Sequence, residues 1–424
     1  MTEPHVHIIG AGLAGLSAAL HLSQAVRNIT VYEAAGHAGG RCRSYFDREL
    51  GCRIDNGNHL MLSGNVIARD YLMLAGAEDT LAAPDRAVFP FMDLRSGERW
   101  TLEMSRGIIP WNLFTPKGRI PGTSLSDYLS LIKVMRAGEQ ETVAGLTRSY
   151  GTIYERFWEP LSVAVLNTPP ETGSARLLGN VLSQTFALGG SACLPLVPKI
   201  GLSESFVDPC IAKLQSMGIQ VRLNRRLREM SFKDGRIAAL DFGDGAVECG
   251  AEDWVILAVP PWVAQELVPD LTAPNEFCSI LNLHYRADIA VKPPGFAGLI
   301  GGVAEWIFVK PGVVSVTVSA ADRYDGRAPQ DLAAAIWRDV AAFYRLDGAS
   351  IPPYRIVKEK RATFAATPAQ QARRPKARGG RYLNLLLAGD WTQNELPSTI
   401  EGSIRSGLRA AQIITRWMGV SEDR

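Results

Sequence analysis

Three glycines, Gly10, Gly12 and Gly15, lie between an apolar run and a helical pattern near the start of the chain. Val6–Ile9 has the largely apolar character of a short buried strand, and 13–22 carries small and apolar residues along one face of a helix. In this arrangement the first glycine makes a tight turn, the second lets the backbone approach a pyrophosphate, and the third lets the helix pack closely on the sheet. The segment therefore predicts a dinucleotide-binding strand, turn and helix.

An acidic residue, Glu33, follows a second apolar run, Ile29–Tyr32. An acid about twenty residues after the glycines accepts a hydrogen bond from the 2′-hydroxyl of an adenosine ribose and repels a 2′-phosphate. The N-terminus of the intervening helix offers free N–H groups and a partial positive charge to the phosphates. The predicted cofactor contacts in this part of the chain are Gly10, Gly12, Leu13, Ala14, Gly15, Glu33 and Ala34.

A Gly39-Gly40-Arg41 turn follows the acid, and 55–59, with the sequence DNGNH, comes after it. This order resembles the flavin-dependent amine oxidase and phytoene desaturase superfamily, in which a segment running under the flavin follows a Gly-Gly-Arg turn. Glycines let the main chain lie against the pyrophosphate and the ring, and Arg41 can place a planar cation near the diphosphate. The flavin contacts that the resemblance implies here are Gly40, Arg41, Gly57, Asn58 and His59.

A third segment, 385–411, resembles the C-terminal flavin signature of the same superfamily. The resemblance implies that Gly389 and Asp390 close a strand at the ribityl chain, and that a helix beginning near Thr399 directs its N-terminus at the pyrimidine edge. A helix dipole there stabilises negative charge on the reduced ring. The resemblance also implies that an aliphatic residue near Leu227 closes over the adenine. The predicted C-terminal contacts are Gly389, Asp390, Thr399 and Ile400.

The implied cofactor is FAD, bound by both ends of the chain. We expect the binding to be non-covalent, because no cysteine follows Cys278 and the C-terminal flavin segment therefore offers no thiol.

Composition excludes several other classes of protein. Lys and Arg number 45 against 43 Asp and Glu, so the net charge of +2 implies no broad field for nucleic acid. The six cysteines contain no C-x-x-C pair and are expected to be free buried thiols, and the six histidines show no metal-ligand spacing. No signal peptide fits before the first strand, and no apolar run approaches the ~20 residues needed to span a bilayer. We expect a cytoplasmic protein or one on a membrane surface.

The middle of the chain returns to the nucleotide-binding fold. The patterns predict a helix over 202–217, strands over 220–223 and 237–240, and a buried strand over 254–259 that two prolines stop. The resemblance implies that this part brings the chain back to the adenosine. The nucleotide-binding residues are therefore not contiguous in sequence.

We predict an α/β fold in which a Rossmann-like FAD-binding domain of the glutathione-reductase type carries a discontinuous α+β substrate domain. Apolar alternation over 306–318 and a helical pattern over 332–344 indicate a sheet backed by helices in the second domain. The FAD-binding domain is expected to contain 1–80, 195–275 and 380–424, and the substrate domain 81–194 and 276–379.

Two stretches have a narrower resemblance. The segment 359–368, together with Arg374-Pro375 and 388–402, looks like the bacterial squalene-associated flavoproteins, the hydroxysqualene dehydroxylase family. Trp158-Glu159-Pro160 and the following 166–169 segment are similar to the same family. The similarity extends from the first glycine almost to the C-terminus. It implies that a C30 isoprenoid alcohol loses its allylic hydroxyl with net reduction, hydride from N5 of reduced FAD quenching an allylic cation.

Such a reaction needs a closed apolar pocket and a general acid. His59, Glu159 and Asp390 are candidates for the acid, because they lie in or near the motifs expected around the flavin or the pocket. Each also has a structural role that fits. His59 would be a loop hydrogen-bonder, Glu159 a helix-surface or ion-paired carboxylate, and Asp390 a ribityl ligand.

Three alternative functions stay open at this point. A carotenoid-type desaturase would run hydride from a C–H bond to oxidised FAD, and the cofactor motifs do not separate the two directions. A flavin amine oxidase fits less well, because Thr399 stands where those enzymes place an aromatic side chain. A flavin-binding or isoprenoid-carrying protein without turnover is the third.

Two partners follow from the remaining sequence. An external electron donor is expected, because one G-x-G-x-x-G stands between a strand and a helix and the glycines of 295–302 lack that pattern. The segment 106–119 combines five large apolar residues, a proline and flanking basic residues. It either caps the second domain or inserts beneath anionic lipid headgroups as a peripheral membrane contact.

Overall fold

The computed structural model describes residues 4–419 of the chain. In chain order the strands are β1 (Val6–Ile9), β2 (Ile29–Tyr32), β3 (Ser44–Asp47), β4 (Cys52–Asp55), β5 (Met61–Leu62), β6 (Leu81–Ala82), β7 (Val88–Asp93), β8 (Arg99–Glu103), β9 (Pro195–Pro198), β10 (Gln220–Arg222), β11 (Glu229–Lys233), β12 (Arg236–Asp241), β13 (Ala246–Glu248), β14 (Trp254–Leu257), β15 (Phe277–Tyr285), β16 (Phe296–Ile300), β17 (Trp306–Lys310), β18 (Val313–Val318), β19 (Tyr354–Phe364) and β20 (Leu385–Leu387). The α-helices are α1 (Leu13–Leu22), α2 (Val66–Ala75), α3 (Leu129–Met135), α4 (Val143–Thr147), α5 (Glu159–Leu166), α6 (Ala175–Gln184), α7 (Asp208–Ser216), α8 (Pro261–Leu267), α9 (Pro329–Tyr344), α10 (Pro368–Ala372) and α11 (Ile400–Trp417).

A parallel five-stranded sheet, in the order β10-β2-β1-β14-β20, forms the nucleotide-binding part of the fold. Every residue of β1, β2, β14 and β20 is buried, which explains why these strands are mainly apolar, since helices cover both faces of such a sheet. Helix α11 packs tightly on α1, and the absence of a side chain at Gly407 allows this close approach. A Cβ at Gly407 would lie 2.2 Å from the Ala14 carbonyl oxygen. The predicted Rossmann-like α/β fold is confirmed.

A second large sheet has seven strands of mixed direction, in the order β19-β15-β18-β17-β16-β7-β8. Helix α9 covers one face, where the Tyr285 hydroxyl donates to the Ala333 carbonyl at 2.7 Å and the Tyr285 ring lies 5.0 Å from that of Trp337. The predicted strand region 306–318 forms a hairpin of β17 and β18, and the predicted helix begins at Pro329, earlier than its apolar pattern.

The return segment contains its predicted elements but differs at the start of its helix. The helix expected over 202–217 starts as a wide π-helical turn, Ser203–Val207, and becomes α-helical only in α7. Pro209 has no N–H for an i→i−4 bond, which explains the irregular start. Both predicted strands are present, as β10 and β12. β10 joins the parallel sheet beside β2, whereas β12 belongs to an antiparallel sheet with β11 and β13.

Residues from both predicted domains meet in one small sheet. β7 and β8 join the strands of 277–364, which belong to the same predicted substrate domain, and β5 pairs with β9 within the predicted FAD-binding domain. β6, at the start of the predicted substrate domain, also pairs with β9. The predicted domain boundaries stay a prediction. Their outermost residues, 1–3 and 420–424, lie outside the described part of the chain.

Candidate flavin site

The three glycines of the first turn meet different surroundings. A Cβ on Gly15 would lie 1.9 Å from the Gly10 carbonyl oxygen, and one on Gly10, whose φ is +108°, would lie 2.4 Å from that of Ala258. A Cβ on Gly12 would meet nothing within 4 Å. Gly10 and Gly15 therefore serve the packing of the turn itself, whereas the space at Gly12 is free for a ligand to approach the backbone.

The first turn of α1 presents main-chain donors beside this space. The first bond of the helix is donated by Leu16 N–H to the Gly12 carbonyl at 2.9 Å. The N–H groups of Leu13, Ala14 and Gly15 precede that bond and have no intrahelical acceptor, as at any helix start. These donors fit a diphosphate.

Glu33 lies where β2 ends, and its carboxylate is fixed by two backbone donors. One oxygen accepts from Ala11 N–H at 2.8 Å and the other from Ala35 N–H at 2.8 Å. The Ala34 side chain is exposed. Each carboxylate oxygen keeps further acceptor capacity, so the orientation fits the predicted bond from a ribose hydroxyl.

The second glycine turn lies directly against the first. Gly39 N–H donates to the Ala11 carbonyl at 2.8 Å, and a Cβ on Gly40, whose φ is +58°, would lie 3.6 Å from Gly12 Cα. The two motifs predicted separately to bind the diphosphate are therefore neighbours in space, with Arg41 following immediately in the chain.

Arg41 joins the two ends of the chain. Its Nη2 donates to Asp390 Oδ1 at 2.7 Å across a sequence separation of 349, and its Nη1 donates to the Ala362 carbonyl at 2.6 Å. Asp390 is buried, whereas 42% of the Arg41 side chain is reached by solvent. Burial by itself would raise the pKa of Asp390, but the Arg41 guanidinium lowers it overall. Asp390 is therefore ionised at neutral pH.

Helix α11 begins where the sequence predicts. Thr399 caps it, with its hydroxyl oxygen accepting from Gly402 N–H at 3.0 Å, and Ile400 is its first residue. Gly389 N–H, at the end of β20, donates to the Ser406 hydroxyl of the same helix at 2.8 Å. Both ends of the turn that joins β20 to α11 are thereby fixed.

The segment 56–58 is held to the seven-stranded sheet by a short chain of polar side chains. Asn58 Nδ2 donates to Thr317 Oγ1 at 3.0 Å, and Thr317 Oγ1 donates to Asn282 Oδ1 at 2.8 Å. Asn282 Nδ2 donates to the Asn56 carbonyl at 3.3 Å, and Gly57 lies beside the same amide. Asn282 and Thr317 were not predicted from the sequence. Each is one of several polar residues in a mainly apolar strand, so the sequence pattern does not single it out.

His59 follows this segment and is partly buried. Burial lowers its pKa, the Asp55 carboxylate opposes that shift, and the Arg41 guanidinium adds to it. The imidazole is therefore predominantly neutral at pH 7. His59 and Asp390 both lie within the electrostatic reach of Arg41.

Glu159 lies apart from these two residues, on an exposed position at the start of α5. Burial raises its pKa, and the nearby Glu171 and Glu155 carboxylates raise it further. The structure thus brings two of the three acid candidates together and leaves Glu159 in a different charged environment.

The loop before β11 lies beside Glu33. Arg225 N–H donates to the Glu33 carbonyl at 2.7 Å, and Asn224 N–H donates to the Ala35 carbonyl at 3.0 Å. Leu227 follows in this loop, with its side chain 7% exposed. Its predicted contact with adenine stays a prediction, supported by the position of the loop.

The two stretches with the narrower resemblance contact each other. Asn167 Nδ2 donates to Thr363 Oγ1 at 2.9 Å, and Asn167 Oδ1 accepts from Ala320 N–H at 2.6 Å. Thr168 Oγ1 accepts from Ala366 N–H at 2.9 Å. These buried bonds fasten the C-terminal end of α5 to the end of β19.

A cavity of about 490 Å³ lies away from Arg41 and Asp390 and includes His37, Arg43 and Leu223 in its lining. A narrow cavity of about 10 Å³ reaches the Arg41–Asp390 pair from the side of Trp262 and Arg361. The chemistry argued below rests on the first two turns and the Arg41–Asp390 pair.

Comparison with known proteins agrees with this geometry. The family model described as flavin containing amine oxidoreductase matches residues 13–291 and 303–415. The structure of cyclohexylamine oxidase from Brevibacterium oxydans superimposes with a TM-score of 0.73 at 14% identity, covering 98% of this chain and 100% of the oxidase. The class of the protein is therefore a flavin-dependent oxidoreductase.

A narrower relationship follows from sequence relatives. A hydroxysqualene dehydroxylase from Sinorhizobium fredii is 46% identical over 96% of this chain and 98% of its own length. A relative described as a probable zeta-carotene desaturase, from Synechococcus elongatus, is 23% identical over 96% of this chain and 98% of its own length. The chain belongs to the hydroxysqualene dehydroxylase branch of the flavin containing amine oxidoreductase family.

The cofactor is FAD. The open space at Gly12, the free N–H groups at the start of α1 and the oriented Glu33 carboxylate fit its adenosine diphosphate half. No group of three His, Cys, Asp or Glu side chains within residues 4–419 is arranged to hold a metal ion.

Proposed function

We propose that this protein removes the allylic hydroxyl of hydroxysqualene, with net reduction, to give squalene. The observation that carries the proposal is the identity of 46% to a hydroxysqualene dehydroxylase along nearly the full length of both chains. The contact between 166–168 and 363–366 adds to it, because both segments carry the narrower resemblance.

Reduced FAD supplies a hydride in this chemistry. The substrate alcohol takes up a proton, its C–O bond breaks and water leaves, and the allylic carbon receives the hydride, so that alcohol and reduced flavin give hydrocarbon, water and oxidised flavin. The residues of the chain have three tasks. They bind the cofactor, exclude bulk water from the cation and supply the proton.

Aromatic packing supports the exclusion of water. The Phe157 ring lies 5.0 Å from that of Trp158 and 6.3 Å from that of Phe186, both in edge-to-face geometry. Phe89 and Phe296 pack 5.9 Å apart in the same apolar cluster. Apolar walls of this kind prevent recapture of a cation by water.

Among the acid candidates we propose His59 as the proton donor. Asp390 is unsuited, because Arg41 lowers its pKa and keeps it ionised. Glu159 is exposed, and its charged neighbours differ from those of the flavin site. The lowered pKa of His59 makes its protonated form scarce at pH 7 but a better proton donor than an ordinary imidazolium. Turnover by this route increases as the pH falls below 7, and a His59→Gln variant loses that increase.

We further propose that 106–119 contacts a membrane and admits the substrate. The side chains of Ile108, Trp111 and Phe114 are 72%, 65% and 60% exposed. Gly190 N–H donates to the Ser105 carbonyl at 2.7 Å, so the segment adjoins the 186–190 turn that leads to the buried aromatic cluster. No helix in the described residues is long and apolar enough to cross a bilayer. A peripheral contact is the form of attachment that these observations support.

Reducing equivalents are proposed to come from an external electron donor, since the chain offers one flanked nucleotide loop and FAD fits it. NADPH alone should therefore reduce the bound FAD slowly in stopped-flow measurements. Rapid bleaching by NADPH without a partner reductase would contradict this part of the proposal.

The function is tested with purified protein, chemically reduced FAD and hydroxysqualene, the product being identified by mass spectrometry. Formation of squalene is expected. Phytoene, supplied with oxidised FAD, tests the carotenoid-type desaturase alternative in the same assay. Desaturation of phytoene without consumption of hydroxysqualene would replace the proposed function by that alternative.

A further inference from the structure

Arg374 is a buried side chain that makes an unusual set of contacts with the turn between β20 and α11. Only 5% of it is exposed. Its Nη2 donates to the carbonyl oxygens of Asp390 at 2.8 Å and Thr392 at 2.5 Å and to Asn394 Oδ1 at 2.8 Å, and its Nη1 donates to the Leu396 carbonyl at 2.7 Å. One guanidinium therefore fixes four positions of the turn.

The remaining surroundings of Arg374 do not neutralise it. Its Nη1 also donates to Gln371 Oε1 at 2.8 Å, and its Cζ lies 4.9 Å from the centre of the Phe364 ring. Its Nε is buried and has no hydrogen-bond acceptor within residues 4–419. Burial lowers the pKa of Arg374 to about 10, with Asp390 opposing the shift, so the side chain is still charged at neutral pH.

The charges around the turn are unequal. Asp390 is the carboxylate that acts on both guanidinium groups, and its Oδ1 accepts a direct hydrogen bond from Arg41. Glu359 is a second carboxylate that acts on Arg41, whereas Arg374 forms no direct ion pair within residues 4–419, so its positive charge is not neutralised by a contact. The N-terminus of α11, a few residues further on, adds its partial positive charge.

From these contacts we infer that Arg374 positions the 390–396 turn for FAD and that its charge favours the reduced form of the bound flavin. The inference rests on the proposed flavin contacts at Gly389, Asp390, Thr399 and Ile400, which bound this turn. It deepens the proposed function, because a hydride donor must hold electrons stably until the substrate binds.

The physical argument has two parts. Without the guanidinium, four acceptors of the turn lose their donor, and buried acceptors without partners destabilise the conformation that needs them. Reduction of bound FAD adds two electrons and one proton and leaves one additional negative charge. A buried cation interacts more strongly with that charge than a solvated one, because the local dielectric constant is low.

The two parts are separated by Arg374→Met and Arg374→Lys. Lysine keeps the charge but cannot span four acceptors in a plane, and methionine keeps neither property. FAD dissociation constants are measured by fluorescence titration, and the two-electron potential is measured by equilibration with a reference dye, with xanthine and xanthine oxidase as reductant. No isoprenoid is present, so a failure of the dehydroxylation assay leaves these results unaffected.

We expect both variants to bind FAD at least about tenfold more weakly. We expect Arg374→Met to lower the equilibrium constant for reduction about tenfold, which for a two-electron couple is about 30 mV, and Arg374→Lys to retain the wild-type potential. Unchanged affinity in both variants would overturn the positioning role. Unchanged potential in Arg374→Met, or an equal fall in both variants, would overturn the role of the charge.

Arg156→Met is the matched control for loss of a buried arginine. Arg156 is 15% exposed, pairs with Glu98 and Asp93, and donates to the Pro121 carbonyl at 3.0 Å, away from the flavin turn. The Arg156→Met variant should leave the FAD affinity and the two-electron potential unchanged. If Arg374→Met does not fold, Asn394→Ala removes one acceptor of the same set. We then expect weaker FAD binding at the wild-type potential, and unchanged binding would contradict the inference.

Discussion

The five-stranded and seven-stranded sheets contribute polar groups to the site in opposite ways. In the five-stranded sheet the predicted cofactor contacts lie outside the strands: Gly10, Glu33 and Gly389 come just beyond the carboxyl ends of β1, β2 and β20. In the seven-stranded sheet polar side chains such as Asn282 and Thr317 lie within the strands and are buried. Strand ends concentrate a ligand site in short turns, whereas a site on a sheet face is assembled from distant parts of the chain.

The largest expected effect separates two glycines of the same turn. Gly15→Ala places a Cβ 1.9 Å from the Gly10 carbonyl oxygen, so we expect a loss of about 3 kcal/mol or more of folding stability. Gly12→Ala meets no protein atom within 4 Å and should change the stability of the FAD-free protein by less than about 0.5 kcal/mol while weakening FAD binding. Urea unfolding measures the folding stability of the two variants, and FAD titration measures their affinity for the cofactor. Equal destabilisation by the two variants would contradict the assignment of the open space.

The next effect compares a histidine in each sheet. Burial lowers the pKa of His7 in β1 to about 4 and that of His284 in β15 to about 4. The unfolded chain binds these protons near pH 6.5, so stability is full above that pH and is lost as the pH falls towards 4. Each histidine accounts for about 3 kcal/mol of that loss.

Urea unfolding between pH 4.5 and pH 7 measures this loss of folding stability. His284→Gln and His7→Gln should each flatten the dependence of stability on pH by a similar amount, and the double variant should flatten it further. A variant that keeps the full wild-type slope would remove its histidine from the explanation.

A smaller effect concerns the ribose contact. Glu33→Ala removes the carboxylate that accepts from Ala11 and Ala35 and, as proposed, from the ribose, so FAD binding should weaken by about 1.5–3 kcal/mol. The exposed Glu159 of the other region supplies the control, since Glu159→Ala should leave the affinity unchanged. Wild-type affinity in the Glu33 variant would exclude this residue from the site.

The smallest effect concerns the exposed apolar segment. Trp111→Ser with Phe114→Ser should reduce co-sedimentation with anionic liposomes, and binding should weaken with salt, since each nearby basic residue contributes about 1 kcal/mol. Phe46→Ser is the matched control, because Phe46 is 61% exposed but lies on β3, which pairs with β4 outside the 106–119 segment. Equal liposome binding by the double variant and the wild type would leave 106–119 as a cap of the second domain.

How much of the fold and of the flavin site could be predicted from the sequence depends on whether a feature is formed by neighbouring or by distant residues. The glycine turn, Glu33 and the start of α11 were predictable, because a turn or a helix cap depends on a few consecutive residues. The Arg41–Asp390 pair was not, since its partners are 349 residues apart in sequence. Arg374 belonged to a motif, but its role depends on four acceptors that only the folded turn brings together. The irregular helix start at 203–207 depended on one proline within an apolar pattern.

The central claim is the direction of hydride transfer, and an anaerobic single turnover tests it most directly. The protein is photoreduced, freed of excess reductant and mixed with hydroxysqualene while the flavin absorbance is followed. The account predicts that the absorbance of oxidised FAD returns and that one squalene forms for each FAD. Absorbance that stays bleached, with no squalene formed, would contradict it.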